Sequence, residues 1–167
     1  IERIPDWRFP LQGSVGPIWS TPLVRGSSVY FGSLDHNVYA LSINTGTPEI
    51  GWPFETGGGV IGRPILIGDR LFVGSFDRKF YGIDPKTGTG RSLVSARKWF
   101  WAGAATDGSS IFASSISGQV FILDRDGNHL GTVEMDGPLV ATPAILEDWV
   151  VVVNEDGPLF RFESGSP

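Results

Sequence analysis

Three residues suggest binding chemistry. Trp19 and Trp101 each stand three residues before a position that falls in register when the sequence is compared with itself (Pro22 and Ala104), and Arg63 stands one residue before the matching Pro64. Two indole faces and a guanidinium can clamp a flat anionic ligand, by stacking and by paired hydrogen bonds to its acidic group. The competing reading packs both Trp side chains between repeats and leaves Arg63 in solvent. Lys98-Trp99-Phe100-Trp101 is a second aromatic cluster. On a strand, alternation puts Trp99 and Trp101 on one side and Phe100 on the other. Packing between neighbouring units is the plainer account of this cluster, and a stacking face for a sugar or peptide is the sharper one.

Other constellations are poorer. Asp124-Arg125-Asp126-Gly127-Asn128 has the opening spacing of a calcium loop, but His129 stands at the sixth place where Gly is needed and Met135 at the twelfth where Glu is needed. A turn rich in Asp, Asn and Gly explains it better. His36 and His129 are far apart in sequence and fall in turn-like segments. There is no Gly-x-Ser-x-Gly elbow, no phosphate-cradling Gly-x-x-x-x-Gly-Lys loop and no cysteine. The sequence therefore assigns no catalytic residue and no metal ligand. The expected ligand-binding set is Trp19, Arg63 and Trp101.

The elements that would position these residues follow from composition and repetition. The chain has 167 residues, a formal net charge of −5 and an isoelectric point near 4.9. That balance argues against a nucleic-acid binder, which usually carries a basic surface. Gly (23) and Pro (12) are unusually frequent, and each costs about 1 and 3 kcal/mol inside a helix, so a mostly helical fold is excluded. Hydrophobic residues at 41%, six of them Trp, exclude a disordered chain. The longest apolar run, Trp149–Val153, is too short to span a bilayer. Ile1-Glu2-Arg3-Ile4-Pro5 has neither the basic start nor the apolar stretch of a secretion signal. The first residue is not Met, so a processed, trimmed or partial chain is expected.

Self-comparison shows four copies. Val29–Leu41 aligns with Leu71–Ile83 at an offset of 42, matching Gly32 with Gly74, Asp35 with Asp77 and Tyr39 with Tyr81. A third copy, Ile111–Asp124, follows at an offset of 40, and a fourth, Val150–Phe162, at 39. Each copy reads as strand, Asp-containing turn, return strand and Gly turn, with a Pro-marked strand opening the next. About four short strands in about 40 residues is the period of a propeller blade. Gly32 and Gly74 recur in mid-strand, where Gly is unfavourable, so a neighbouring group is expected to approach closely there. The reading is one all-β domain over residues 1–167, with repeats about 7–46, 52–88, 93–127 and 132–162 and essentially no helix.

Tyr39-Ala40-Leu41 … Thr45-Gly46 … Trp52 and Gly74-Ser75-Phe76-Asp77 … Tyr81-Gly82-Ile83-Asp84-Pro85-Lys86-Thr87-Gly88 resemble the repeat of PQQ-like (quinoprotein-type) β-propellers. The resemblance covers nearly the whole chain and is strongest in the first two copies. It implies a β-propeller in which a Trp after each Thr-Gly turn docks one blade on the next. Copies two and three lack that Trp, having Arg91-Ser92 and His129-Leu130 nearby. Propellers of this kind usually have seven or eight blades, so four copies imply half of such a ring, with two apolar end faces, or a partial propeller.

The family includes dehydrogenases that hold pyrroloquinoline quinone and calcium, and non-catalytic assembly and sensor propellers. The degenerate repeats and short turns here favour a non-enzymatic module that binds a protein partner, or a second half of the propeller, with no nucleic acid and no membrane span. The resemblance places it in the periplasm or outside the cell. No cofactor is expected; PQQ and calcium find no motif. The alternatives are a fragment of a quinoprotein dehydrogenase and a propeller that senses a small ligand or glycan.

Overall fold

The computed structural model describes residues 7–10, 15–147 and 149–163; Ile1–Pro5 lies outside them. Four antiparallel sheets follow one another along the chain. The first contains β1 (Leu23–Arg25), β2 (Ser28–Gly32), β3 (Asn37–Ser42) and β4 (Phe54–Glu55), paired in chain order. The second contains β5 (Ile65–Ile67), β6 (Arg70–Gly74), β7 (Lys79–Ile83) and β8 (Gly90–Ser95). The third contains β9 (Ala105–Thr106), β10 (Ser110–Ser114), β11 (Gln119–Asp124) and β12 (His129–Glu134). The fourth has three strands, β13 (Ala144–Leu146), β14 (Trp149–Val153) and β15 (Leu159–Glu163). There is no helix among the described residues. This is the all-β, four-bladed propeller architecture that the repeat predicts.

The core lies between blades rather than within one. Strand alternation gives each blade two apolar faces. Tyr30, Val38 and Ala40 on the first blade meet Leu71, Val73 and Tyr81 on the second. Phe72 and Phe80 on the reverse of the second meet Ile111, Ala113 and Phe121 on the third. Phe112, Val120 and Ile122 meet Val150 and Val152 on the fourth. Residues at one register thus face the preceding blade and their neighbours face the following one.

Gly32 and Gly74 explain how closely the blades approach. A β-carbon on Gly32 would collide with the Val60 side chain, and one on Gly74 with the Phe100 side chain. Val60, Phe100 and Leu139 occupy matching places in the segments that open blades two, three and four, and all three are buried. Each is a knob seated against the preceding blade, and the glycines are the notches that admit it.

The docking Trp behaves as the resemblance implies. Trp52 is buried, stands edge-on to Tyr30 at 5.8 Å, and its indole N–H donates to the Pro85 carbonyl at 3.3 Å. Trp7 repeats the contact one blade earlier, donating to the Ile43 carbonyl at 2.5 Å. In the second blade, which lacks the Trp, Leu93 lies against Gly127 of the following turn. A smaller apolar side chain therefore fills the space the indole would take.

Candidate functional site

Two hairpin turns each carry an acid paired with a phenol. In the first, the Asp35 carboxylate accepts from the Asn37 N–H at 3.0 Å and from the Tyr39 hydroxyl at 2.7 Å. In the second, Asp77 accepts from the Lys79 N–H at 3.0 Å and the Tyr81 hydroxyl at 2.5 Å. Burial works to raise both carboxyls, but these hydrogen bonds outweigh it and hold them below the ordinary carboxylate value. Burial, and then the adjacent Asp35 carboxylate, pushes the Tyr39 hydroxyl up to about 12. Sequence alignment matches these residues by register without showing that the acid and the phenol four residues on bond each other. Ser33, Ser75 and Ser115, at one repeated position, are fully buried. Ser33 and Ser75 donate to the carbonyls of Pro17 and Gly58, tying each hairpin to the segment that opens its own blade.

Those opening segments carry the candidate ligand residues. Trp19 comes from the first blade, Ile61 and Arg63 from the second, Trp101 from the third, and Val140 and Thr142 from the fourth, and all line one open cleft of about 370 Å³. The structure thus brings together the three residues singled out by sequence, and adds Thr21 and Thr142 as hydroxyls lining the same cleft. Trp19 is 64% exposed and Trp101 38% exposed. Both indoles keep a face toward solvent, Trp19 more than Trp101.

Phe100 instead takes the packing role. It is 1% exposed, 5.5 Å from the Phe80 ring and 5.7 Å from the Phe121 ring. Trp99, 46% exposed, and Trp101 lie on the other side of the chain, as alternation predicts. Both stack on Phe76 of the preceding blade, at 5.2 and 5.5 Å between ring centres. Sequence reading missed Phe76. Its signal is an aromatic at the turn position where Leu34 and Ile116 stand in neighbouring copies.

Trp101 and Val140 also border a second depression of about 230 Å³, with Lys98, Trp99, Pro138 and Glu155 on its walls. Lys98, Ile116 and Pro138 continue into a third of about 290 Å³, which Arg97 also lines. The three adjoin through these shared walls and are described together as one groove. Arg97 is paired with Glu134 at 2.5 Å, both side chains more than half exposed, a geometry that contributes little stability.

Of the remaining sequence candidates, Asp124 closes its own turn, accepting from the N–H groups of Asp126 and Asn128 at 2.9 and 2.8 Å. His129 contacts the Thr132 hydroxyl at 2.8 Å on an exposed strand. No group of three or more His, Cys, Asp or Glu side chains among the described residues is arranged to hold a metal ion. Calcium requires several oxygen ligands, usually with carboxylates among them. Among the described residues this cleft is lined by two threonine hydroxyls and a cation but no carboxylate, a donor set that does not fit a calcium site.

The family described as "Outer membrane protein assembly factor BamB" has a model that matches residues 6–91, more than half of the chain. The chain belongs to this family. Among solved structures, BamB from Moraxella catarrhalis is similar at 19% identity with a TM-score of 0.72, covering 89% of this chain and 47% of that one. The computationally designed Ika8 protein is similar at 16% identity and a TM-score of 0.71, covering 87% of this chain and 45% of that one. The computationally designed Ika4 protein is similar at 17% identity and a TM-score of 0.76, covering 91% of this chain and 94% of that one. The chain therefore spans about half the length of BamB and Ika8. No curated protein matches it. These likenesses establish the propeller fold and the BamB-like repeat. No helix among the described residues is long and apolar enough to cross a membrane.

Proposed function

We propose that this chain is a non-enzymatic protein-interaction module, acting at the periplasmic side of an outer membrane, and that its partner docks in the aromatic groove. The family is named for outer-membrane protein assembly, which is the kind of task this reading assigns to the chain. The observation that carries the proposal is the exposure of Trp19, Trp99 and Trp101 around one continuous groove with Arg63. Folding ordinarily removes such surface from water, and exposed Trp and Arg grouped in a concavity are the usual anchors of protein interfaces. Among the described residues the turns are short and the lining of this cleft supplies no carboxylate, so no acid–base pair supports a reaction there.

The reading is tested with a photo-cross-linking amino acid placed at Ile61, in the groove, and at Ile50, an exposed residue on an outer turn. In the intact cell envelope, Ile61 is expected to yield a discrete adduct with another envelope protein, and Trp101→Ala to diminish it. Adducts from Ile50 alone, or an Ile61 adduct unaffected by Trp101→Ala, would move the docking surface elsewhere.

A further inference from the structure

The geometry points to an extended acidic–aromatic peptide segment as the occupant of the groove, with a carboxylate on Arg63 and a ring against Trp101; this rests on the reading of the groove as a protein-docking surface. Shape supports a chain rather than a compact molecule. Small-molecule sites enclose most of their ligand's surface, whereas here three open depressions are strung together through shared walls, Trp101 and Val140 joining two and Lys98, Ile116 and Pro138 joining the next.

Charge selects the class of chain. The protein carries a net charge of −5, yet Arg63 lies at one end of the groove and Lys98 toward the other. Among the described residues neither has an ion-pair partner, while Arg97 is already satisfied by Glu134. Among the described residues Glu155 is the one carboxylate on the groove's walls; it shares the second depression with Lys98 and is not in the lining around Arg63, so Arg63 is the cation left to set the preference. A guanidinium in a cleft that two threonine hydroxyls also line presents several donors to one carboxylate. The middle of the groove offers indole faces. Trp99 and Trp101 are both braced on Phe76, so they are held in place before a partner arrives and little side-chain freedom is lost on binding. A neutral apolar peptide would leave Arg63 unused.

The test uses the whole chain and an N-acetylated octapeptide alternating Phe and Asp, its Asn counterpart, and cellohexaose as a glycan probe, with Trp fluorescence as the readout. The acidic peptide is expected to quench with a Kd at least tenfold below that of the Asn peptide. Arg63→Gln is expected to remove most of that preference, and Arg25→Gln, at an exposed strand end outside the groove, to preserve it. Equal affinity for the two peptides, or a preference that survives Arg63→Gln, would overturn the acidic class. Saturable quenching by cellohexaose without either peptide would assign the groove to sugars. Equal peptide affinities together with an intact Ile61 cross-link would remove the acidic class and keep the protein-docking reading.

Discussion

The repeated acid–phenol pair gives the clearest residue-scale chemistry. Asp77 is pushed upward by burial, but the Tyr81 hydroxyl and the N–H groups of Lys79 and Gly57 act in the opposite sense and win. Asp35 has the same arrangement with Tyr39, Gly16 and Asn37. A carboxyl held below its unfolded value stabilises the fold at every pH above that value, and the contribution is lost as pH falls through the folded, lower value. The phenols act at the other limit. Tyr39 is raised to about 12, so its stabilising proton is present below its ordinary value of 10.0 and is lost only as pH climbs toward 12. Thermal unfolding is therefore expected to be flat across neutral pH and to fall below about pH 4, near the unfolded carboxyl value. Asp77→Asn should flatten that acid limb. An acid limb of unchanged steepness in the variant would show that Asp77 is not part of it. The alignment exposed these residues as a register match. Their bond was not legible, because it depends on how tightly the hairpin returns.

At the scale of elements, the sequence repeat sets four sheets, and the mid-strand glycines mark where they touch. Offsets of 42, 40 and 39 were enough to place the strands, since a strand pattern and a Gly turn recur in each copy. The side of the sheet on which each aromatic falls was legible only as alternation. Phe100 and its Trp neighbours share one apolar tetrapeptide, and only the packing shows that Phe100 enters the Gly74 notch while the indoles face solvent. Leu93 in place of a docking Trp was likewise invisible, because it is neither the expected type nor at the expected spacing. The notch makes a prediction. Gly74→Val must push against the Phe100 side chain and should destabilise by about 1–3 kcal/mol, the range for overpacked cores. Gly131, on the outer strand of the third blade, meets nothing within 4 Å of a β-carbon. Gly131→Ala should be neutral or stabilising by up to about 1 kcal/mol. Denaturant midpoints measure both. Equal losses in the two variants would mean that the glycines matter for chain flexibility and not for blade contact.

At the scale of the whole molecule, the four blades follow one another, each packed on the next. They superpose along about half of BamB and half of Ika8 while retaining 87–89% of this chain, and along 94% of Ika4. Two open apolar end faces are expected from sequence; among the described residues one face is covered and the other open. On the first blade, Val29, Phe31, Tyr39 and Leu41 are buried, with Phe9 and Val15 packed over them. On the fourth, Leu146 is 70% exposed and Leu159 68%. That open face also departs from the repeat. Val153 occupies the register of Gly32, Gly74 and Ser114, and Arg161 that of Ala40, Gly82 and Ile122. Arg161 lies over Trp149, 4.4 Å from the ring centre, giving this end a partly polar cover of the kind terminal repeats use. At the opposite end Ile18, in the knob position, is exposed. If a second copy completes the ring by the contact repeated within the chain, Ile18 must enter the place that Val153 fills, and association is weak because two branched side chains compete for one notch. Val153→Gly recreates the open notch of the first two blades. At equal concentration, light scattering is expected to show the variant shifted further toward twice 18.0 kDa than the unaltered chain, and Leu159→Glu added to it should return the mass to 18.0 kDa. A mass of 18.0 kDa for all three at every concentration would exclude closure by a second copy and leave the fourth blade's face to a different partner.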